Sequence, residues 1–404
     1  MISSLFKRSG GYFLGMMASR LVTTVVYILL ARHFSPSIFG QLVLYMTILT
    51  IGTYFADVGL VQWYQKAAAI ARTDQEKNKL FNQIISARFY TLLIALLVIG
   101  IFFSLVPTFS FTIRVLLLLN LIPDAFISIV DGYYLERQKP FKISIKNGLR
   151  AIFLIILLVF AQSSLTSTLT VFWYLLGSTV SAIFVFPWKQ IKYFTLHSVQ
   201  ESITVIKASS TYALLVITSF AYARGDQIVI QYLLNSAALG FYGGAYRYLE
   251  TLSLLPAALS QNLFPLAAQK EGIRRHQLIK IVAVVAVIGG IISALLFFLS
   301  NFFIVSLMGQ NYEPAVGVLQ ILSLVLFLFF LNAPLASVVQ SSSFVQKFLP
   351  FGILNTIANV VLNIAAIPIY GIYGAAWVMV VTEISGLAIN LGFVYKIYAQ
   401  PRQS

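Results

Sequence analysis

The sequence predicts an all-α, polytopic membrane protein with twelve transmembrane helices. Three observations predict it. The chain has 404 residues, 59% hydrophobic and only 10% charged, against about a quarter charged in soluble domains. With a mean hydropathy of +0.89, it has too little polar surface to cover a water-soluble particle. Apolar runs of membrane-spanning length recur along its whole length. Basic residues crowd into every second gap between those runs, the alternation that orients a multi-pass protein.

The twelve runs are 11–31, 38–62, 83–106, 113–133, 145–162, 169–187, 206–234, 238–266, 278–305, 315–339, 346–370 and 373–396. The first reads as a span and not as a cleaved leader: it is long, Arg20 interrupts it, and no small-x-small site follows. One set of termini and links holds Lys7, Arg8; Lys66, Arg72, Lys77, Lys79; Arg137, Lys139, Lys142, Lys146; Lys189, Lys192, Lys207; Lys270, Arg274, Arg275, Lys280; Lys347; Lys396 and Arg402. These are 20 of the 27 basic residues. The opposite set holds Arg32 and Arg114. Both termini are therefore expected in the cytoplasm. The net charge of +15 reads as retention at the anionic leaflet and not as nucleic-acid binding.

The outer links are short: "QSSLTSTLT", "NSAALG" and "YGIYG" leave no room for a soluble domain. Cysteine is absent, and His33, His197 and His276 lie far apart, so neither a thiolate site nor a His-based metal centre is expected. No Gly-Lys dipeptide occurs, which excludes a Walker A loop. The expectation is a non-enzyme with no cofactor and no metal.

The halves repeat weakly. At an offset of 200, "ARHFSPSIFGQLVLY" lies on "QYLLNSAALGFYGGA", with Gly40 on Gly240. At an offset of 208, Gln138-Lys139 falls on Gln346-Lys347 and Asn147 on Asn355. Two six-helix lobes are expected, 1–200 and 201–404. Six is even, so both lobes enter from the same side as parallel repeats, with a cavity at their junction.

Charges inside the spans are the first candidates for function, because hydrocarbon makes them expensive. Arg88 and Arg150 sit near cytoplasmic ends, where snorkelling to the interface accounts for them. Arg20 and Arg224 lie roughly 18 Å, and Arg247 roughly 13 Å, from their outer ends at the rise of a helix. These three are the candidate anion-binding residues, and Arg20 maps to Phe220, one turn from Arg224. Each could instead pair with a carboxylate. Glu250 stands at i+3 from Arg247, a salt-bridge spacing, whereas Asp226 at i+2 from Arg224 faces elsewhere on a helix.

The acids inside the spans are Asp57, Asp124, Asp131, Asp226, Glu250 and Glu383. Asp57, Asp226, Glu250 and Glu383 are candidates for binding a coupling ion or for neutralising an arginine. Thr47, Thr50, Tyr54 and Asp57 form one helical stripe. Asn355, Asn359 and Asn363 form another at i, i+4, i+8, which fits a wet cavity lining or helix-to-helix hydrogen bonds. Pro256, Pro265, Pro334 and Pro368 stand within or near span ends, where they can kink helices.

The run "LLARHFSPSIFGQLVLYMTILTIGTYFADVGL" resembles the opening helix pair of Wzx-type polysaccharide-exporting flippases, through Phe34-Ser35-Pro36, Phe39-Gly40, and Asp57 with Gly59. The run "ARGDQIVIQYLLNSAALGFYGGAYRYLETLSLLPAALSQNLFPLAAQ" resembles that family's seventh and eighth helices, through Asp226, Gly240, Tyr242, Tyr246-Arg247, Pro256 and Phe264-Pro265. The resemblance covers most of the chain with degenerate motifs and no strong match around Arg20. It implies the fold of the multidrug/oligosaccharidyl-lipid/polysaccharide (MOP) exporters, with alternating access. It also implies a lipid-linked oligosaccharide, on undecaprenyl diphosphate, moved to the outer leaflet of a bacterial inner membrane. The polymerase and chain-length proteins of the same pathway are its candidate partners. The rival readings are a cation-coupled multidrug exporter of the same superfamily, a membrane glycan polymerase or ligase, and a scaffold. The short outer links weigh against the polymerase, and the interior charges against the scaffold.

Overall fold

A computed structural model describes residues 17, 20–105, 109–137, 139, 141–160, 166–188, 196–267 and 273–399. Lys7, Arg8, Gln138, Lys189, Lys192, Lys270 and Arg402 of the charge and repeat patterns lie outside the described residues, as do the start of the first span and the side chain of Pro265. Helix α1 covers residues 20–33. It is followed by α2 (Pro36–Asp57), α3 (Leu60–Ile70), α4 (Asp74–Leu105), α5 (Phe111–Glu136), α6 (Phe141–Phe160) and α7 (Ser167–Val185). Then come α8 (Val199–Leu233), α9 (Ser236–Leu252), α10 (Leu254–Ala267), α11 (Arg275–Phe298), α12 (Ala315–Ser341) and α13 (Val345–Ala399).

Polar side chains close the helix starts that the links supply. Ser110, Thr166 and Asn235 cap α5, α7 and α9 by accepting from the backbone N–H three residues on. At the opposite ends, Thr73 with Glu76 and Ser198 with Glu201 form reciprocal capping boxes at α4 and α8. The Ser198 backbone N–H, helped by the His197 and Ser198 side chains, holds the Glu201 carboxyl below the usual carboxylate range.

Among the described residues, nine helices are long and apolar enough to cross a membrane, where twelve spans were expected. One of the three is the first span, of which only residues 20–33 are described as continuous helix; the other two have local causes. The expected eighth span is two shorter helices, α9 and α10, parted at Ser253. Pro256 has no N–H to give to Leu252, so the ladder breaks one turn before it. The expected last two spans form one helical run that turns at Gly371, with φ of 61°. The arms lie antiparallel: Asn355 and Asn359 on one side donate to Thr382 on the other, at 3.1 Å each. Pro123 and Pro334 sit inside α5 and α12 without ending them.

The chain packs as two compact units. One comprises Met1–Val26 and Leu42–Phe220, the other Tyr27–Gln41 and Ala221–Ser404. The first has a core of Leu60, Tyr64, Phe81, Ile84, Ile129 and Tyr133. The second has one around Leu263, Leu278, Leu335, Val339 and Phe393. Large apolar residues also stand exposed in rows, as at Val284, Val287, Ile291, Leu295 and Phe298 on α11. In water such a face would drive aggregation. In a bilayer it is the solvated surface, because the solvent there is hydrocarbon. The protein is a multi-pass membrane protein.

The first unit corrects one expectation. Arg88 does not snorkel. It is fully buried and ion-paired to Asp57. Arg150 also turns inward, to Asp124 at 2.6 Å and the Tyr174 hydroxyl at 2.8 Å. Near-terminal position favoured the interface for both, but a carboxylate on a neighbouring helix offers a charge-assisted partner without leaving the fold. Lys146 joins Asp131 in the same way, at 2.6 Å.

Candidate functional site

The second unit gathers two of the three deep arginines. Helix α8 presents Arg224, and α9 presents Arg247 and Glu250. Glu250 accepts from both guanidiniums, from Arg224 at 2.7 Å and from Arg247 at 2.8 Å. The i, i+3 spacing on α9 sets the second contact. The first needs two helices. Aromatic rings complete the cradle: the Arg247 guanidinium lies over the Tyr27 ring at 3.7 Å, and that of Arg224 lies 5.5 Å from the Tyr246 ring. One carboxylate between two guanidiniums leaves the cluster one positive charge in excess. A guanidinium has five N–H donors, so both arginines keep donors beyond the one each gives to Glu250.

Asp226 stands beside this cluster and makes no ion pair among the described residues. Its carboxylate accepts from the Tyr242 hydroxyl and, at 2.7 Å, from the Gln227 backbone N–H. Tyr242 in turn stacks on Tyr246, 5.9 Å between ring centres. Arg224 therefore reaches across to Glu250 and not to the acid two residues along its own helix, as the helical geometry requires.

Glu383 belongs to a separate polar network. Tyr222 donates to it, and Asn332 donates at 3.0 Å. Asn390 donates to Asn332 at 3.1 Å. Thr382, next in the chain, takes the Asn355 and Asn359 donors described above, and Asn363 bonds back to Asn359. Asn359 and Asn363 are buried. Of the two readings open for the asparagine stripe, Asn355 and Asn359 are engaged in helix-to-helix hydrogen bonds. Such bonds average about 0.6 kcal/mol in a membrane. Asn359→Ala removes two side-chain hydrogen bonds, to Thr382 and from Asn363, and is expected to lower stability by about 1 kcal/mol, a small fall in the thermal midpoint of the purified protein.

The remaining candidates lie in the first unit. Arg20 is exposed, and its carbonyl accepts from Thr24 at 2.9 Å. Thr47 and Thr50 bond back to carbonyls of their own helix. Tyr54 packs against the Phe220 ring at 5.3 Å. Asp57 holds Arg88 at the break between α2 and α3. There Thr91 donates to the Ala56 carbonyl at 2.6 Å and Ser209 to the Val58 carbonyl at 2.9 Å. Sequence reasoning passed over Tyr222, Tyr242, Asn332 and Thr382. Tyr242 stood in the quoted family pattern, but nothing in the spacing of the others marks them, since their partners are up to 161 residues away. Among the described residues no cluster of three His, Asp or Glu could hold a metal.

A family model described as polysaccharide biosynthesis protein matches residues 5–271. The probable flippase AglR of Haloferax volcanii is 24% identical over 192 residues, which is 45% of this chain and 38% of that relative's length. Among solved structures, the lipid II flippase MurJ in its inward closed conformation matches with a TM-score of 0.74. It is 16% identical, over 96% of this chain and 88% of its own. An inward-facing multidrug resistance MATE family transporter of the MOP superfamily matches with a TM-score of 0.71 and 14% identity, over 94% and 95%. At those identities the likeness concerns the fold alone: the chain shares the all-α fold of these two structures.

Proposed function

The chain belongs to the polysaccharide biosynthesis protein family, and from that premise we propose that it is a flippase for a lipid-linked glycan. It carries an undecaprenyl-diphosphate-linked oligosaccharide, an O-antigen or exopolysaccharide repeat unit, from the cytoplasmic to the outer leaflet of the inner membrane. Access alternates through a cationic cavity, and both termini are cytoplasmic. The names of the relatives, a probable flippase and a lipid II flippase, support the reaction class. One observation supports the anionic cargo above the others: two arginines share one carboxylate, deep in the span, with donors to spare.

The physical problem fits that cluster. A diphosphate cannot enter hydrocarbon bare, because desolvating its charge is prohibitive. Guanidinium donors replace water around phosphate oxygens and match them bidentately. The lipid tail stays in the bilayer. Arg224 and Arg247 hold the phosphates, with Arg20 as a further cation. Glu250 sets the spacing of the arginines and is released in part as phosphate binds. Asp57 balances Arg88, while Asp226 and Glu383 are the acids open to a coupling ion. Thr50, Tyr54 and Asn355 supply polar surface along the path; Asn359 and Asn363, expected there too, are buried. Outward movement of an anion also runs with an inside-negative potential, worth about 2.3 kcal/mol per charge per 100 mV.

The test is flipping of a fluorescent undecaprenyl-diphosphate oligosaccharide between leaflets of proteoliposomes. Arg224→Ala leaves Glu250 paired with Arg247, so that carboxylate is not stranded. Folding is expected to survive, while flipping falls roughly tenfold or more, the loss of one charge-assisted contact. Flipping equal to wild type would remove the cluster from the pathway. A second reading has its own observation: Asp226 and Glu383 bear no ion-pair cation among the described residues, as a binder of cationic drugs would need. Ethidium efflux without glycan flipping would select that exporter.

A further inference from the structure

Away from the arginine cluster, the first unit carries a second cationic feature. A cavity of about 1080 Å³ opens where the start of α4, the turn between α5 and α6, and the end of α7 meet. Four cations line it, Lys77, Arg137, Lys139 and Lys142, against two carboxylates, Asp74 and Glu136. Glu136 is already shared: Lys77 reaches it at 2.6 Å and Arg137 at 3.4 Å. Arg137 is further fixed by Asn78 at 2.7 Å and lies over the Tyr133 ring at 4.3 Å. Lys139 and Lys142 are exposed and make no ion pair among the described residues. The backbone holds them at one turn, with the Lys139 N–H on the Tyr134 carbonyl at 2.8 Å and the Lys142 N–H on the Lys139 carbonyl at 3.2 Å.

The rim is different in kind. Trp188 is half exposed and anchored by its ring N–H to the Ile183 carbonyl at 2.7 Å. Phe184 beside it is 73% exposed. Indole and phenyl rings at the end of a span mark the depth of lipid headgroups. A cationic floor with an aromatic rim at that depth suits a ligand with a charged head and an apolar body. A soluble anion would have no use for the rim.

We propose that this cavity binds the phosphate headgroup of an anionic bilayer lipid, with Lys139 and Lys142 as its two uncommitted cations and Trp188 against the glycerol and upper acyl region. The site takes from the proposed function only the membrane location, not the cargo. Basic pockets between membrane helices are suited to such headgroups.

The experiment is native mass spectrometry of the purified full chain titrated with phosphatidylglycerol, with phosphatidylcholine and with inorganic phosphate as separate arms. Phosphatidylglycerol is expected to bind roughly tenfold or more tighter than phosphatidylcholine, and the double variant Lys139→Glu/Lys142→Glu is expected to bring it down to the phosphatidylcholine level. Both lysines are exposed, so the thermal midpoint of that variant should match wild type. Trp188→Ser, the second variant, should weaken phosphatidylglycerol binding while leaving the charge unchanged. Equal binding of the two lipids by wild type would overturn the proposal, as would unchanged phosphatidylglycerol binding in the lysine variant. Displacement of phosphatidylglycerol by equimolar inorganic phosphate would overturn the lipid assignment and leave a free-anion site.

Discussion

Arg88→Ala is expected to destabilise the protein by about 3–5 kcal/mol, the range for breaking a buried ion pair by removing one partner. Arg88 is fully buried, and its one bonded nitrogen is spent on Asp57, whose side chain is 7% exposed. Asp57 ends α2, and the next two residues, Val58 and Gly59, take positive φ before α3 begins. The chain there has left the helical ladder, and the freed carbonyls are met by Thr91 and Ser209. Removing the guanidinium strands a carboxylate in that break. Replacing both partners with apolar residues of similar shape, Asp57→Leu/Arg88→Met, is expected to recover most of the loss, because no bare charge remains. Thermal midpoints of wild type, both single variants and the double variant decide the matter. A double variant as unstable as Arg88→Ala alone would mean that the pair is not what the break depends on.

Gly40→Ala is expected to be nearly as damaging, through sterics alone. A methyl built on Gly40 would meet the Ser236 carbonyl oxygen at 1.7 Å, and one on Gly240 would meet the Pro36 carbonyl oxygen at 2.0 Å. Both obstacles are backbone, so no side chain can swing aside. The two contacts are reciprocal: the offset of 200 found in the sequence carries Gly40 onto Gly240 and Pro36 onto Ser236, so each contact is the other's image. Small residues that let backbones touch are how membrane helices gain packing contacts, since lipid offers no hydrophobic drive between them. Overpacking typically costs about 1–3 kcal/mol where side chains can yield, and this site should lie at or above the top of that range. Gly40→Val should abolish recovery of folded protein from membranes, and Gly240→Ala should match Gly40→Ala. An unaltered thermal midpoint for Gly40→Ala would show that the crossing is looser than described.

Sequence and structure divide the determination of this protein along a physical line. Helix content, the run of apolar spans and the short links were legible because each follows from one segment and its surroundings. A stretch of some twenty apolar residues becomes a helix in hydrocarbon whatever its neighbours do, since its backbone has no other way to satisfy its hydrogen bonds. The Arg247–Glu250 pair was legible for the same reason, being two positions on one helix. Pro256 and Gly371 show the limit of that reasoning. Both were visible residues, yet whether a proline ends a helix, as Pro256 does, or sits inside one, as Pro334 does, depends on what packs around the freed carbonyl. The charge pairs went further out of reach. Asp57 with Arg88, Asp124 with Arg150, and Arg224 with Glu250 are 31, 26 and 26 positions apart, on different helices. A buried charge announces from the sequence that it needs a partner, because hydrocarbon will not solvate it. Only the rotation and depth of the neighbouring helices, which the tertiary packing sets, decide which carboxylate that partner is.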